Sequence, residues 1–430
     1  MNTTIAPEIE SSVGFLGELF DGLPPENISF RLWDGTSWPD AKPRSATIVL
    51  KHPGALRGMF ESGTEKGLAE AYLRDDFDVA GDIESAFSLA DAFGARSSRD
   101  WRRTVSTYYR FHRLPAARSL ETGWQGFREK TANRHSRERD RQAVSFHYDV
   151  SNDFFRLWLD GRMLYSCGYF ERPDDDLDRA QTAKLRQLCR KLRLRPGQRV
   201  LDIGCGWGGF AIFAARHCEV AVTGVTLSRQ QAELATAFTR AAGVERQVKI
   251  EQRDYRELPE SETFDAIVSV GMSEHVGTDQ LRGYFKTAGK LLRPGGVFLN
   301  HAIGEGVRPR ARRGPSFIDE YVFPDSDIPP VPTVLHAAEA AGFEVRDVEN
   351  LREHYTLTLR HWVRRLEAAH EAALNCVNET TYRCWRLYMA GSARGFDRAH
   401  LAIYQALLSK PDPEGRSHLP LTRRDWYEQS

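Results

Sequence analysis

Apolar runs alternate with helical stretches along the second half of the chain. Strands are predicted at Gln198–Gly204, Glu219–Leu227, Val248–Asp254, Phe264–Gly271, Gly296–Ile303 and Phe343–Val348, with helical segments between most of them. Repeated strand-then-helix order implies a doubly wound, mostly parallel sheet that binds ligands at the carboxyl ends of its strands. Three of those ends carry polar groups: Asp202, Asp254 and the run Gly271-Met272-Ser273-Glu274-His275. Pro294-Gly295-Gly296 reads as a turn that closes one helix and opens the next strand.

The first third has a different texture. Phe30-Arg31-Leu32-Trp33-Asp34-Gly35-Thr36-Ser37-Trp38 carries an Asp-Gly hairpin signal, and Thr47–Leu50 adds a strand. Ala69–Arg74 is helical, and Asp82–Ala92 reads as a helix with an acidic first turn. Residues 28–87 therefore look like a small α+β unit. The expected division is 1–95 for that domain, 96–141 for a linker, and 142–430 for the larger α/β domain with a C-terminal helical cover over its pocket.

The strand 198–204 runs into Gly204-Cys205-Gly206-Trp207-Gly208-Gly209 and then an alanine-rich helix. Glycines at 204 and 206 let the backbone turn sharply and approach a ligand, and the helix that follows aims its first N–H groups at the same place. By spacing alone, Gly204, Gly206 and Gly209 also satisfy the dinucleotide fingerprint, so they do not separate a nicotinamide cofactor from S-adenosylmethionine. Asp202 separates them. A carboxylate at that strand end repels a pyrophosphate but suits a cationic ligand with an amino group and a sulfonium.

Composition excludes several classes. The 430 residues carry 59 basic and 59 acidic side chains, so no global field draws the chain to nucleic acid. No apolar run spans a bilayer and Met1–Ser12 lacks a signal peptide's pattern, which makes a soluble, cytoplasmic protein the expectation. Six cysteines without a C-x-x-C pair argue against a zinc ribbon or disulfide scaffold, and no metal is expected. Charge is nevertheless uneven. Between Arg96 and Arg141, thirteen Arg/Lys face five Asp/Glu, interleaved with Trp101, Tyr108, Tyr109, Phe111, Trp124 and Phe127, and a second basic run covers Arg308–Arg313. Cations with aromatics suit an anionic membrane surface; nucleic acid or a solvated linker would also accept them.

Several ordered motifs converge: His147-Tyr148-Asp149-Val150-Ser151-Asn152-Asp153-Phe154-Phe155, Tyr165-Ser166-Cys167-Gly168-Tyr169-Phe170, the glycine turn, Thr226-Leu227-Ser228-Arg229-Gln230-Gln231, Gly271–Gly277 and His301-Ala302-Ile303-Gly304. Together they closely resemble the cyclopropane-fatty-acyl-phospholipid synthase family. The likeness is strong from about Gln142 to Leu408 and weaker before, through Glu70-Ala71-Tyr72 and Gly81-Asp82.

The resemblance implies a seven-stranded, Rossmann-like methyltransferase sheet. It also implies transfer of a methylene from S-adenosylmethionine to the cis double bond of an unsaturated phospholipid acyl chain, at the inner face of a bacterial cell membrane. It places Tyr165, Ser166, Asp202, Gly204, Gly206, Thr226, Gln231 and Asp254 at the cofactor. It places Cys167, Glu274, His301, the Ile303 backbone and Tyr388 around a bicarbonate ion that takes the proton. Tyr165, Tyr169, Phe170 and Tyr388 are aromatic faces for a carbocation. Cys167 is expected as a neutral thiol, since a thiolate would itself be methylated. Ser392 departs from the family, where cysteine is common, and Thr226-Leu227-Ser228 departs from methyltransferases that keep a ribose-binding carboxylate there. A lipid methyltransferase that leaves a branched or methylene product, or an amine methyltransferase on the same scaffold, is the alternative within the fold. A lipid-binding protein without catalysis and a nicotinamide oxidoreductase are the alternatives outside it. Substrate presentation and dimerisation both suit the N-terminal unit, so a homodimer is carried as an expectation.

Overall fold

The computed structural model describes residues 6–20, 27–89, 101–117, 139, 150–309, 317–323 and 327–427. The apolar runs of the second half form one seven-stranded sheet: β5 (Arg199–Ile203), β6 (Ala221–Thr226), β7 (Val248–Gln252), β8 (Phe264–Val270), β9 (Leu292–Glu305), β10 (Glu344–Asn350) and β11 (Leu401–Ser409), in the spatial order β10-β11-β9-β8-β5-β6-β7. β5 to β9 pair in parallel, and β11 runs antiparallel between β9 and β10. The doubly wound, mostly parallel sheet expected from the sequence is thus present.

Alternation along each strand sorts its side chains onto two helical layers. Val200, Val268, Leu299 and Leu407 pack with Leu185 and Leu188 of the helix Leu177–Lys191 and with Phe210 and Ala214 of the helix Gly209–Cys218. Their neighbours Leu201, Ile267, Phe298 and Ala406 pack with Tyr284, Phe285 and Ala288 of the helix Leu281–Leu291 and with Val334 and Ala338 of the helix Val331–Glu339. From β5 the chain winds to one side through β6 and β7, then crosses to β8 and β9 on the other. The carboxyl ends of β5 and β8 therefore flank the switch point where such sheets bind ligands.

Two expectations need correction here. Pro294-Gly295-Gly296 does not precede the strand but lies inside β9. Phe264 pairs with Leu292 and Ala266 with Val297, so the three extra residues bulge out while Gly295 N–H bonds to Lys410 O at 2.7 Å. The C-terminal segment is also more than a helical cover, because Leu401–Ser409 supplies β11, a central strand.

The chain divides into two compact units that interleave in sequence. One takes the described residues within 1–126, 312–322 and 378–394, and the other takes the rest. The first unit is built on a four-stranded sheet, ordered β2 (Ser37–Trp38), β1 (Ile28–Arg31), β3 (Ala46–Leu50), β4 (Phe77–Gly81). Its hairpin turns at Asp34-Gly35, with Gly35 at φ 94° and Asp34 Oδ1 accepting from Thr36 N–H. Asp82 caps the short helix Ile83–Ala86 through the Glu84 and Ser85 amides. The division expected from the sequence, by contrast, runs 142–430 unbroken. Buried cations explain why a late stretch joins the early one. Arg383 donates to Tyr72 O, Phe77 O, Asp75 and Asp78, and Arg386 donates to the Tyr72 hydroxyl at 2.8 Å. Of the basic aromatic segment, the helix Trp101–His112 is described; Trp124, Phe127 and the second run beyond Pro309 lie outside the described residues. No helix among the described residues is long and apolar enough to cross a membrane.

Candidate functional site

The turn after β5 forms the floor of the site. Gly204 and Gly206 have φ of 78° and 54°, in the left-handed region that favours glycine. A Cβ on Gly204 would lie 2.9 Å from Met272 Cγ, so a side chain there collides with the segment that follows β8. The Gly204 and Cys205 N–H groups both donate to Val225 O, at 3.0 and 2.9 Å, which ties the turn to β6. Above the strand ends lies a cavity of about 280 Å³, lined among others by Tyr165, Ser166, Asp202, Gly204, Gly206, Thr226, Gln231 and Asp254.

Asp202 and Lys184 bring opposite charges into the cavity wall. Asp202 is 3% exposed, and its Oδ2 has no hydrogen-bond partner. Burial raises its pKa to about 7, against the opposing pull of Lys184. Lys184 is equally buried, and burial lowers it to about 8 despite Asp160, Cys167 and Asp202 nearby. Its Nζ donates to the neutral Ser166 hydroxyl at 2.7 Å. An orphaned carboxylate oxygen and a desolvated ammonium complement the opposite charges of an amino-acid moiety, so the residues present fit the methionine end of S-adenosylmethionine.

Thr226 and Asp254 are already bonded to other residues of the cavity wall. Thr226 Oγ1 donates to Gln231 Oε1 at 2.7 Å and accepts from Ser228 N–H at 3.2 Å, while Ser228 caps the helix Arg229–Ala241. Asp254 accepts from Arg256 with both carboxylate oxygens, at 2.9 Å from Nε and 2.6 Å from Nη2.

A second polar cluster follows β8 and lies along β9. Glu274 sits in the 3₁₀ turn Ser273–His275, whose start is fixed where Gly271 N–H bonds to His301 O at 2.8 Å. Its Oε1 accepts from Ile303 N–H at 2.7 Å, and its Oε2 is buried without a partner. Burial raises its pKa to about 7. His301 is buried as well, with Nε2 unpartnered, and burial holds its pKa well below the usual value. The Ile303 N–H is therefore already bonded within the chain. Cys167 is a buried thiol that burial keeps neutral, and its Sγ donates to Gly168 O at 3.2 Å and approaches Leu351 O at 3.8 Å.

Of the four aromatic candidates, Tyr165 lines the cavity, in a cluster with Phe155, Trp158 and Trp362. Tyr169 and Phe170 stack instead on His354 and His361 of the helix Arg352–Ala368. Tyr388 belongs to the first unit, on the helix Glu379–Asp397, edge-on to Trp385 at 5.9 Å. Met272 and His275 of the run Gly271–His275 line the cavity too, and so does Lys184, which was not expected there. A signal existed for Lys184: it occupies a position on the helix Leu177–Lys191 where the period of Leu177, Leu185 and Leu188 calls for an apolar side chain.

Known proteins match this arrangement. Residues 135–406 fit the sequence profile of the family described as mycolic acid cyclopropane synthetase. A probable fatty acid methyltransferase of Pseudomonas putida is 39% identical over 93% of this chain and 96% of its own length. The cyclopropane-fatty-acyl-phospholipid synthase of Escherichia coli K12 is 38% identical over 61% of this chain and 66% of its own. The mycolic acid cyclopropane synthase CmaA1, solved with SAH and CTAB, superposes with a TM-score of 0.59 at 35% identity, covering 62% of this chain and 97% of its own. The chain belongs to the mycolic acid cyclopropane synthetase family and is a methyltransferase of Rossmann-like fold.

Proposed function

We propose that the protein uses S-adenosylmethionine to convert the cis double bond of unsaturated phospholipid acyl chains into a cyclopropane ring. The alkene π pair attacks the sulfonium methyl, and the C–S bond breaks with its electrons going to sulfur. The new methyl then loses a proton, and the pair from that C–H bond closes the ring. The first step needs alignment and a dry pocket more than acid or base, which suits a cavity walled by Tyr165, Leu164 and Met272.

The second step needs a base, and the observation that carries the proposal bears on it. Glu274 Oε2, in the turn that follows β8, and His301 Nε2, on β9 opposite the last residue of β8, are buried and unpartnered. Methyl transfer to an amine or hydroxyl has no use for a further buried anion site of this kind. A histidine N–H and a carboxyl group fit bicarbonate, which Glu274 and His301, with Cys167 and the Ile303 backbone, would hold and which would supply the base. Substrate access at a membrane surface is supported by the helix Trp101–His112. There Tyr108 and Tyr109 are 66% and 57% exposed, and Arg113 lies over the Tyr109 ring at 4.5 Å.

Purified protein incubated with S-adenosylmethionine and vesicles of monounsaturated phospholipid tests the reading by mass spectrometry and NMR. A gain of one CH₂ with loss of the olefinic signals is the expected result. A gain with an alkene or branch retained would support the second reading, a fatty acid C-methyltransferase, which the name of the Pseudomonas relative favours. No gain would turn the search to amine acceptors.

A further inference from the structure

Outside the cofactor cavity, a line of buried polar groups runs from the helix Leu177–Lys191 through β11 to His301. Lys191 is 1% exposed; its ammonium pairs with Glu349 of β10 and donates to Gln405 Oε1 at 2.7 Å. An ammonium only donates, so the Gln405 amide must turn its oxygen toward Lys191 and its NH₂ away. On that other side, Gln405 Nε2 lies 3.3 Å from His301 Nδ1, its directly opposed partner in the β11–β9 register. An amide nitrogen also only donates. The His301 nitrogen facing it must therefore be the unprotonated one, and the ring proton sits on Nε2.

We propose that Lys191 and Gln405 are positioning residues that hold His301 as the neutral Nε2–H tautomer, so that a hydrogen-bond donor, not a lone pair, faces the anion held beside Glu274. What that donor is for rests on the cyclopropanation reading; the tautomer itself does not. The surroundings favour a neutral ring, since burial and the charges of Lys184 and Lys191 all oppose an imidazolium. The opposite tautomer would place the Nε2 lone pair against an oxyanion, and Gln405 would have to invert its amide and face Lys191 with NH₂. One orientation thus satisfies Lys191, Gln405 and His301 together.

The test is a long-range proton–nitrogen correlation spectrum of the full chain labelled with ¹⁵N-histidine, with His301 assigned by its loss in H301Q. The expected wild-type spectrum has a pyridine-like Nδ1 and a protonated Nε2. In Lys191→Met the amide is free to invert, and an Nδ1–H population should appear. kcat should fall about tenfold or more, the scale on which orienting partners of site histidines act, while KM for S-adenosylmethionine stays within about twofold. Gln405→Glu is nearly isosteric and accepts only. It should turn Nδ1 into a protonated nitrogen whatever the state of Nε2, and it carries the test if Lys191→Met fails to fold. A protonated Nδ1 in the wild type, or a ring unchanged in both variants, overturns the proposal. So does a kcat loss in Lys191→Met that leaves the tautomer unmoved. A wild-type ring as expected in a protein that forms no cyclopropane lipid would refute the cyclopropanation reading and leave the positioning role standing.

Discussion

Glu274→Gln should inactivate the enzyme and stabilise it, and the size of the second effect follows from burial. Glu274 has an ordinary value of 4.5 and a folded value of about 7, raised by desolvation. The folded protein therefore holds a proton that the unfolded chain releases between those limits, and stability falls as pH rises through the window. Integrated from pH 5 to 8, the lost stability is about 2 to 3 kcal/mol, at about 1.4 kcal/mol for each pH unit of difference. Glutamine cannot ionise, while its oxygen can still accept the Ile303 N–H bond now made at 2.7 Å. The variant should match the wild type near pH 5 and exceed it by about 2 to 3 kcal/mol at pH 8. Urea unfolding of both proteins at the two pH values measures the difference, and Asp202, which titrates in the same window, cancels because both proteins retain it. Turnover should fall by orders of magnitude with S-adenosylmethionine affinity little changed. A variant no more stable at pH 8 than at pH 5, relative to wild type, would refute the buried, unpartnered carboxylate. Near-normal turnover would remove Glu274 from the chemistry.

Asp202→Asn should weaken S-adenosylmethionine binding about tenfold or more, read by calorimetry, because an amide cannot neutralise an ammonium in a dry wall. Gly204→Ala should lower stability by about 1 to 2 kcal/mol from its positive φ alone, and should also lose cofactor affinity as Met272 is displaced. Arg383→Met should destabilise the first unit by about 3 kcal/mol, seen as earlier thermal unfolding, since Asp75, Asp78 and two backbone carbonyls lose their donor. Reversing four arginines between residues 99 and 113 should weaken binding to anionic vesicles and flatten its salt dependence; unchanged salt dependence would leave that segment a linker.

The sequence made the sheet legible where apolar strands meet turn chemistry. Five of the six predicted strands need only shifts of one or two residues at their ends, and the two clusters of site groups stand near strand ends where ligands bind. β9 is the exception, because a bulge around Gly295 looks in sequence like the turn that usually precedes a strand. β11 escaped notice for a related reason. It follows a long helix after a short turn and pairs antiparallel, so it breaks the strand-then-helix rhythm that revealed the others. The joining of Asn378–Arg394 to the first unit was illegible altogether, since it depends on Arg383 and Arg386 reaching groups some three hundred residues earlier.

The same limit explains which site residues were found. Asp202, Glu274 and His301 announce themselves because polar groups at the ends of apolar strands have few structural reasons to be there. Lys184 and Lys191 lie seven residues apart on one helix, at positions its leucines mark as buried, and a buried lysine is costly unless something meets its charge. Two lysines on an apolar stripe are thus as informative as a carboxylate at a strand end, but their partners are unreadable until the sheet order is known. Lys184 is brought beside Ser166 and Lys191 beside Gln405 and Glu349, residues from a loop and from two strands late in the chain. Placing β11 between β9 and β10 sets Gln405 opposite His301 and so joins a helix that precedes the glycine turn to the ring at the reacting end of the site. A central antiparallel strand has no direct part in binding a cofactor at the switch point; in this chain it delivers the one side chain that decides which nitrogen of His301 carries the proton.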